Sequence, residues 1–117
     1  MNDKPWTVHK FGGASLAGPA EYRQVADILL ADDSGRQAAI VSASFGITDR
    51  LVKLVEDASA RSESVADAVD AIRQHHLALA GELLSESAVA GYGAALEEDL
   101  GTIAAILEAI RLLGRAP

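Results

Sequence analysis

The residues best suited to chemistry lie between Thr7 and Ser15, where a lysine precedes two glycines and a serine. Lys10 stands at the end of a stretch typical of a β-strand, and Gly12 and Gly13 follow it closely. Backbone amides of glycine can approach an anion closely because no Cβ stands in the way. The lysine adds a full positive charge that could offset charge on a phosphoryl group. This order of residues therefore suits a phosphate site.

The same stretch also fits a purely structural interpretation, a tight strand-to-helix turn with a lysine on the surface. Pro19 is typical of the first turn of a helix, so a turn is expected in either case. The order of residues is not that of a Walker A loop, in which the lysine follows the glycines. The first turn alone leaves both interpretations open.

A second polar turn follows a second apolar run. Residues 38–43 form a short apolar run with β-branched members. Because polar residues do not alternate with the apolar ones, the run predicts a strand buried on both faces, as in a parallel sheet. Ser42 and Thr48 supply hydroxyls after it, although Thr48 could be no more than a helix cap. Apolar residues recur at helical spacing between the strands: Tyr22, Val25, Ala26 and Leu29. The pattern predicts an α/β opening with both turns at carboxyl ends of strands, where such proteins place their sites.

The second half of the chain predicts two amphipathic helices. Apolar positions step by three and four residues in two series, Val65, Val69, Ile72, His76, Leu79 and Leu83, then Leu96, Leu100, Ile103, Leu107 and Ile110. A polar link over residues 85–93 would let the helices fold back as an antiparallel pair. We therefore expect a β-α-β-α opening over residues 1–57, a helical subdomain over residues 58–117, and one incomplete domain overall, since two strands alone make a weak sheet.

Charge and composition exclude several classes of function. Residues 56–99 hold ten acids against two arginines, which favours solvated helix faces and argues against a nucleic-acid partner. His75 and His76 point about 100° apart on a helix, so no metal site is expected. The 117 residues include no cysteine and no apolar run of membrane-spanning length, so we expect no membrane association and a cytoplasmic location.

Taken together, the two turns resemble the amino-terminal part of aspartate kinases, members of the amino acid kinase superfamily. That family opens with a Lys-Phe-Gly-Gly-Thr/Ser-Ser motif, matched by residues 10–15. Its second motif, Val-Ser-Ala-x-x-x-hydrophobic-Thr-Asp/Asn, is matched by residues 41–49. The ending at residues 112–114 resembles the segment before the family's next motif. The resemblance implies the first part of an amino-acid-kinase-type parallel sheet sandwich, with two strands and a largely helical subdomain.

The resemblance also implies a reaction, the transfer of the γ-phosphoryl group of ATP to the β-carboxylate of L-aspartate in lysine, threonine and methionine synthesis. It makes Lys10 the catalytic residue, and Lys10, Gly12, Gly13 and Ser15 the cradle for the phosphates of ATP with Mg²⁺. Ser42 and Thr48 would lie near the aspartate. Ala14 departs from the family, which usually has a hydroxyl residue at that position.

The family's later elements do not occur in these residues. They include a glutamate and an arginine that bind aspartate, the nucleotide half and the regulatory domains. We therefore expect the chain to be an inactive piece of a longer enzyme, one whose opening looks like that of fusions with homoserine dehydrogenase or diaminopimelate decarboxylase. Exposed apolar helix faces or an unpaired sheet edge would favour a homo-oligomer.

Two alternatives remain open. The first is another amino acid kinase, acting on glutamate or acetylglutamate, which should lack the motif from Ser42 to Thr48 and the helical insertion. The second is a non-enzymatic helical interaction module, in which the glycine turn is structural and Lys10 has no function.

Overall fold

The computed structural model describes residues 4–116, which divide into two compact units, one ending at Gly46 and the other beginning at Ile47. The sequence analysis grouped residues 47–57 with the opening segment. In the structure this stretch instead belongs to a helix of the second unit, because its apolar side packs on the two long helices.

The first unit is a β-α-β arrangement. Strands β1 (Thr7–Phe11) and β2 (Gln37–Val41) pair in parallel, with Thr7 opposite Gln37 and Phe11 opposite Val41. Helix α1 (Pro19–Ala31) connects them and begins with its proline in the first turn, where the missing amide costs nothing. The prediction of two parallel strands joined by a helix is confirmed, and the structure is mixed α/β.

Helix α1 lies on the side of the small sheet to which Phe11 points, although none of its own residues is buried. Along β1, exposure alternates with the pleat, so that Phe11 is buried while Val8 is 59% exposed. Phe11 borders a cleft whose far wall is formed by α1 residues. The expectation that β2 is buried on both faces is wrong for this chain, since Ile40 and Val41 are 55% and 58% exposed. Within residues 4–46, no further strand or helix covers the open face or the outer edge of β2.

The second unit is a three-helix arrangement of α2 (Ile47–Ser59), α3 (Val65–Leu83) and α4 (Glu86–Leu113). Its core is a single apolar cluster drawn from all three helices: Ile47, Leu54, Ala58, Val69, Ile72, Leu100, Leu107 and Ile110. Each large aliphatic side chain buried in this way contributes about 1.5–3 kcal/mol. The whole of the second predicted apolar series and the first half of the first series, as far as Ile72, therefore face this core, whereas His76, Leu79 and Leu83 lie outside it. No helix within residues 4–116 combines the length and apolarity needed to cross a bilayer.

Helices α3 and α4 run antiparallel. Gly93 lies near Leu77, and the Arg73 guanidinium reaches the Glu97 carboxylate at 2.6 Å. Later residues of α4 therefore contact earlier residues of α3, as expected for antiparallel helices. The link between the helices is much shorter than predicted, because residues 86–93 are helical rather than a loop. Ser85 caps α4 by accepting a hydrogen bond from the Ala88 amide at 3.3 Å, and such caps contribute about 1 kcal/mol.

The turn between α2 and α3 is strained and is hydrogen-bonded to the end of α4. Arg61, between α2 and α3, has a positive φ of 56°, which is unfavourable for a residue with a side chain. Its Nε donates to the Arg111 carbonyl oxygen at 3.1 Å, one of the acceptors that the last turn of α4 leaves unpaired. Gly114 ends α4 with a φ of 71° in the left-handed region. The Arg61 side chain thus fastens the turn after α2 to the end of α4.

Candidate functional site

Lys10 occupies the next-to-last position of β1, opposite Ile40 of β2. Its side chain is exposed and lies on the same open face as Val8, since alternate residues of a strand share a face. No hydrogen bond or ion pair of its ammonium group is found among residues 4–116. The structure therefore presents an uncompensated positive charge beside the glycine turn.

The glycine turn begins with Gly12 in an extended conformation, after which residues Gly13–Leu16 form one 3₁₀ turn. The Ser15 amide donates to the Gly12 carbonyl at 3.0 Å, whereas the amides of Gly13 and Ala14 find no backbone acceptor in the described part of the chain. A Cβ placed on Gly12 would meet no atom within 4 Å. The space beside Gly12 is thus open to a ligand, and two amides are available as donors.

The second polar turn lies directly against the first. The Ser42 amide extends the strand ladder by donating to the Phe11 carbonyl at 3.1 Å. Further along, the Phe45 amide donates to the Leu16 carbonyl at 3.2 Å. A Cβ on Gly13 would lie 3.7 Å from both Ser42 Oγ and Phe45 Cδ2. The structure therefore brings Gly12, Gly13 and Ser42 together at the carboxyl ends of β1 and β2.

The two predicted substrate residues fall in different units. Ser42 belongs to the first unit and is exposed, with its hydroxyl donating to the neighbouring Ala43 carbonyl at 2.6 Å. Thr48 is the second residue of α2, in the second unit, and is also exposed. Its placement beside a substrate stays a prediction.

A cleft of about 310 Å³ borders the glycine turn on the side of α1. Its walls are Phe11, Ala14, Ser15, Glu21, Gln24, Val25 and Ile28. Ser15 is half-buried there, while Ala14 is exposed. Because Ala14 has a methyl group where the resembled family usually has a hydroxyl, Ser15 supplies the one hydroxyl among the described residues that line this cleft.

The charge balance differs between the two units. Residues 4–46 contain four basic and four acidic residues, whereas residues 47–116 contain twelve acidic and six basic ones. The acidic excess of the chain therefore lies in the helical unit. With Asp3 included, residues 1–46 carry five acidic and four basic side chains, so the glycine turn stands in a nearly neutral part of the sequence that has little charge to repel an anion.

The structure shows a partner for His9 that the sequence analysis did not identify. His9 Nε2 lies 2.8 Å from Asp32 Oδ2 across the unit, and both side chains are largely buried. The hydrogen bond from His9, reinforced by the Ser34 amide, lowers the pKa of Asp32 to about 2. The pair ties the strand that carries Lys10 to the end of α1. A lone histidine in an apolar strand and an aspartate in the following turn were the only available signals.

The two adjacent histidines of α3 occupy ordinary helical positions. His76 Nδ1 donates to the Ile72 carbonyl at 2.8 Å, and burial lowers the pKa of His75, with His76 and Arg50 adding to the effect. Within residues 4–116, no three histidine, cysteine or acidic side chains group closely enough to hold a metal ion.

The arrangement suits positioning and charge stabilisation rather than covalent catalysis. Open amides and the Ser42 hydroxyl lie together at the carboxyl ends of two parallel strands, where α/β folds bind their ligands, and Lys10 occupies the next-to-last position of β1. Phosphoryl transfer depends mainly on alignment and charge neutralisation, and it needs no protein nucleophile.

Comparison with known proteins identifies relatives over most of the chain. Three of them are bifunctional aspartokinase/homoserine dehydrogenases of chloroplasts, from Daucus carota (37% identical), Zea mays (37%) and Arabidopsis thaliana (33%). Each similarity extends over 111 residues, which is 95% of this chain and 12% of the relative. The chain therefore spans about an eighth of the length of the curated relatives it matches.

A family model describes the same region. The model of the amino acid kinase family matches residues 5–113, from the segment before β1 to the last residue of α4. Both polar turns, the parallel strand pair and the three-helix unit lie inside this match. The chain belongs to the amino acid kinase family.

Proposed function

We propose that the chain is the amino-terminal portion of an aspartate kinase, which transfers the γ-phosphoryl group of ATP to the β-carboxylate of L-aspartate. The observation that carries the proposal is the contact between the two polar turns. Ser42 is hydrogen-bonded through its amide to the end of β1, and its hydroxyl lies beside Gly13. A phosphate donor and a carboxylate acceptor need such adjacent sites, because the reacting oxygens must approach in line.

In this proposal Lys10 is the catalytic residue. Its free ammonium group would neutralise charge on the phosphates of ATP, which binds with Mg²⁺. Gly12 leaves room for those phosphates, Gly13 lets the second turn pack closely against the first, and the open amides of the turn and the Ser15 hydroxyl would donate hydrogen bonds to the phosphates. Removing a donor that stabilises transition-state charge typically raises the barrier by about 3–4 kcal/mol.

Aspartate is the proposed acceptor, with Ser42 and Thr48 as its ligands in this part of the enzyme. The names of the similar proteins support aspartate over glutamate or acetylglutamate. The complete motif from Ser42 to Thr48 and the helical unit after it point the same way. Synthesis of lysine and threonine would be the pathway served.

The proposed activity belongs to a longer protein, since the similar proteins extend far beyond the matched region. We propose that the 117 residues alone are inactive, and that the longer protein is a fusion with homoserine dehydrogenase. The open sheet face and exposed apolar residues of α4, such as Ile106 and Leu112, support self-association of the isolated chain, with a dimer as the simplest form. A cytoplasmic location is part of the same proposal.

Titration with Mg-ATP in a calorimeter tests the phosphate site. The full-length gene product should bind Mg-ATP saturably, and Lys10→Ala should weaken binding at least tenfold. Lys53→Ala is a matched control, because Lys53 is an exposed lysine paired only with Asp57 on α2. Equal affinities of the wild type and Lys10→Ala would remove the lysine from the site and favour the interaction-module alternative.

A further inference from the structure

We propose that Ser44 is a positioning residue that couples the two polar turns, so that ATP and the acceptor carboxylate strengthen each other's binding. The inference rests on the proposed function and concerns a residue that the motifs leave unassigned. For clarity, residues 12–16 are called the phosphate loop and residues 42–46 the acceptor loop.

Ser44 is the only polar or charged residue that is buried among residues 4–116, with 8% of its surface exposed. Its hydroxyl donates to the Leu16 carbonyl oxygen at 3.4 Å, a long hydrogen bond between the two loops. Burial of a hydroxyl is costly unless it is hydrogen-bonded. The Ser44 hydroxyl therefore supplies a hydrogen bond to the phosphate loop that an apolar side chain at this buried position could not make.

The Leu16 carbonyl is the junction between the loops. It accepts from Ser44 Oγ and from the Phe45 amide at 3.2 Å, so two consecutive residues of the acceptor loop hold one atom of the phosphate loop. The Leu16 side chain is itself buried, which anchors that end of the phosphate loop. A shift of either loop must stretch these bonds or move the other loop with it.

Apart from this junction, the acceptor loop is held at its start by the Ser42 amide bond to the Phe11 carbonyl, and the phosphate loop by the Ser15 amide bond to the Gly12 carbonyl. The phosphate loop starts at two adjacent glycines, and the acceptor loop ends at Gly46 with a φ of 81°. Outside the junction, Gly13 touches the acceptor loop only through ordinary contacts near 3.7 Å. Ordering that one ligand imposes on its loop would therefore reach the other in part through Leu16, where Ser44 supplies the side-chain bond beside the Phe45 amide.

A tie of this kind makes binding of the two ligands cooperative. If ATP orders the phosphate loop, the acceptor loop is ordered with it, and the acceptor then loses less conformational freedom on binding. Linkage requires that the acceptor increase the affinity for ATP by the same factor. The quantity that measures the role of Ser44 is this coupling factor, rather than either affinity alone.

The experiment measures the coupling factor in the full-length gene product. Calorimetry gives the dissociation constant of a non-hydrolysable Mg-ATP analogue with and without saturating L-aspartate. We expect aspartate to tighten analogue binding at least fivefold in the wild type. Ser44→Ala should reduce that factor about threefold or more, the equivalent of one weak hydrogen bond. Ser44→Thr, which keeps the hydroxyl, should restore most of it.

Ser34→Ala is the matched control. Ser34 Oγ also donates to a carbonyl, that of Arg36 at 3.2 Å, but it lies before β2 at the opposite end of the sheet. The control should leave the coupling factor unchanged even if it lowers stability. Ser44→Cys, nearly the same size and a weak donor, replaces Ser44→Ala if the latter fails to fold.

Two failures are distinguishable. If the wild type binds the analogue through Lys10 but the coupling factor is one, or is the same in Ser44→Ala, the inference is wrong and the proposed function stands. If the analogue does not bind, or binds equally to Lys10→Ala, the proposed function fails and the inference fails with it.

Discussion

Replacing Leu54 by alanine should destabilise the second unit by about 3 kcal/mol. Leu54 lies in the middle of α2, is 2% exposed and belongs to the core shared with α3 and α4. The substitution removes three buried carbon atoms, worth about 0.8 kcal/mol each, and leaves a cavity that the neighbouring helices fill only in part. The position matters because it tests whether α2 belongs to the helical unit, which the sequence analysis did not predict.

Thermal unfolding followed by far-UV circular dichroism measures the effect, since the three helices of this unit dominate the signal. For a unit of this size, about 3 kcal/mol corresponds to a fall in Tm of roughly 12–24 °C. Val52→Ala is the matched control, because Val52 is 54% exposed on the same helix and its truncation should change stability by less than about 0.5 kcal/mol. Equal Tm values for the two variants would mean that α2 does not pack on the other helices.

Two further predictions concern single hydrogen-bonded residues. The pKa of Asp32 is lowered from 3.8 to about 2, so its ionised form stabilises the fold above pH 3.8, and this contribution is lost as the pH falls towards 2. The stability difference between wild type and Asp32→Asn, measured by urea unfolding with Trp6 fluorescence, should shrink as the pH falls from 4 towards 2; a difference that grew over that range would contradict the lowered pKa of Asp32. At Arg61, glycine should be tolerated better than alanine by about 1 kcal/mol, because both lose the bond to Arg111 while only glycine relieves the positive φ. Equal stabilities in chemical denaturation would argue against strain in this turn.

Much of the local structure was predictable because it follows from periodicity and turn chemistry. The apolar steps through Val69 and Leu107 predicted two core-facing helices, and the strand-turn-helix order around Gly12 predicted the first unit. The helical start of α4 was missed because Gly91 and Gly93 look like a loop. Each glycine costs a helix about 1 kcal/mol relative to alanine, and the Ser85 cap together with packing along α4 offsets that cost.

The long-range features could not be predicted in the same way. Exposure of β2 depends on which elements cover a sheet, and local apolarity does not report that. The His9–Asp32 pair joins residues 23 positions apart, and the Ser44–Leu16 contact joins residues 28 apart. Such contacts depend on how the strands and helices pack, and the sequence separation between two residues does not show that they will be in contact. The motifs indicated which side chains could act, while the structure supplied the junction between the loops.

Acceptor-dependent release of ADP from Mg-ATP by the full-length gene product would show whether this chain is part of an aspartate kinase. We predict turnover with L-aspartate, little with L-glutamate or N-acetylglutamate, and a loss of at least a hundredfold in kcat for Lys10→Ala but not for Lys53→Ala. Turnover with glutamate or acetylglutamate in place of aspartate would contradict the proposed acceptor. Undiminished turnover in Lys10→Ala would contradict the proposed catalytic site.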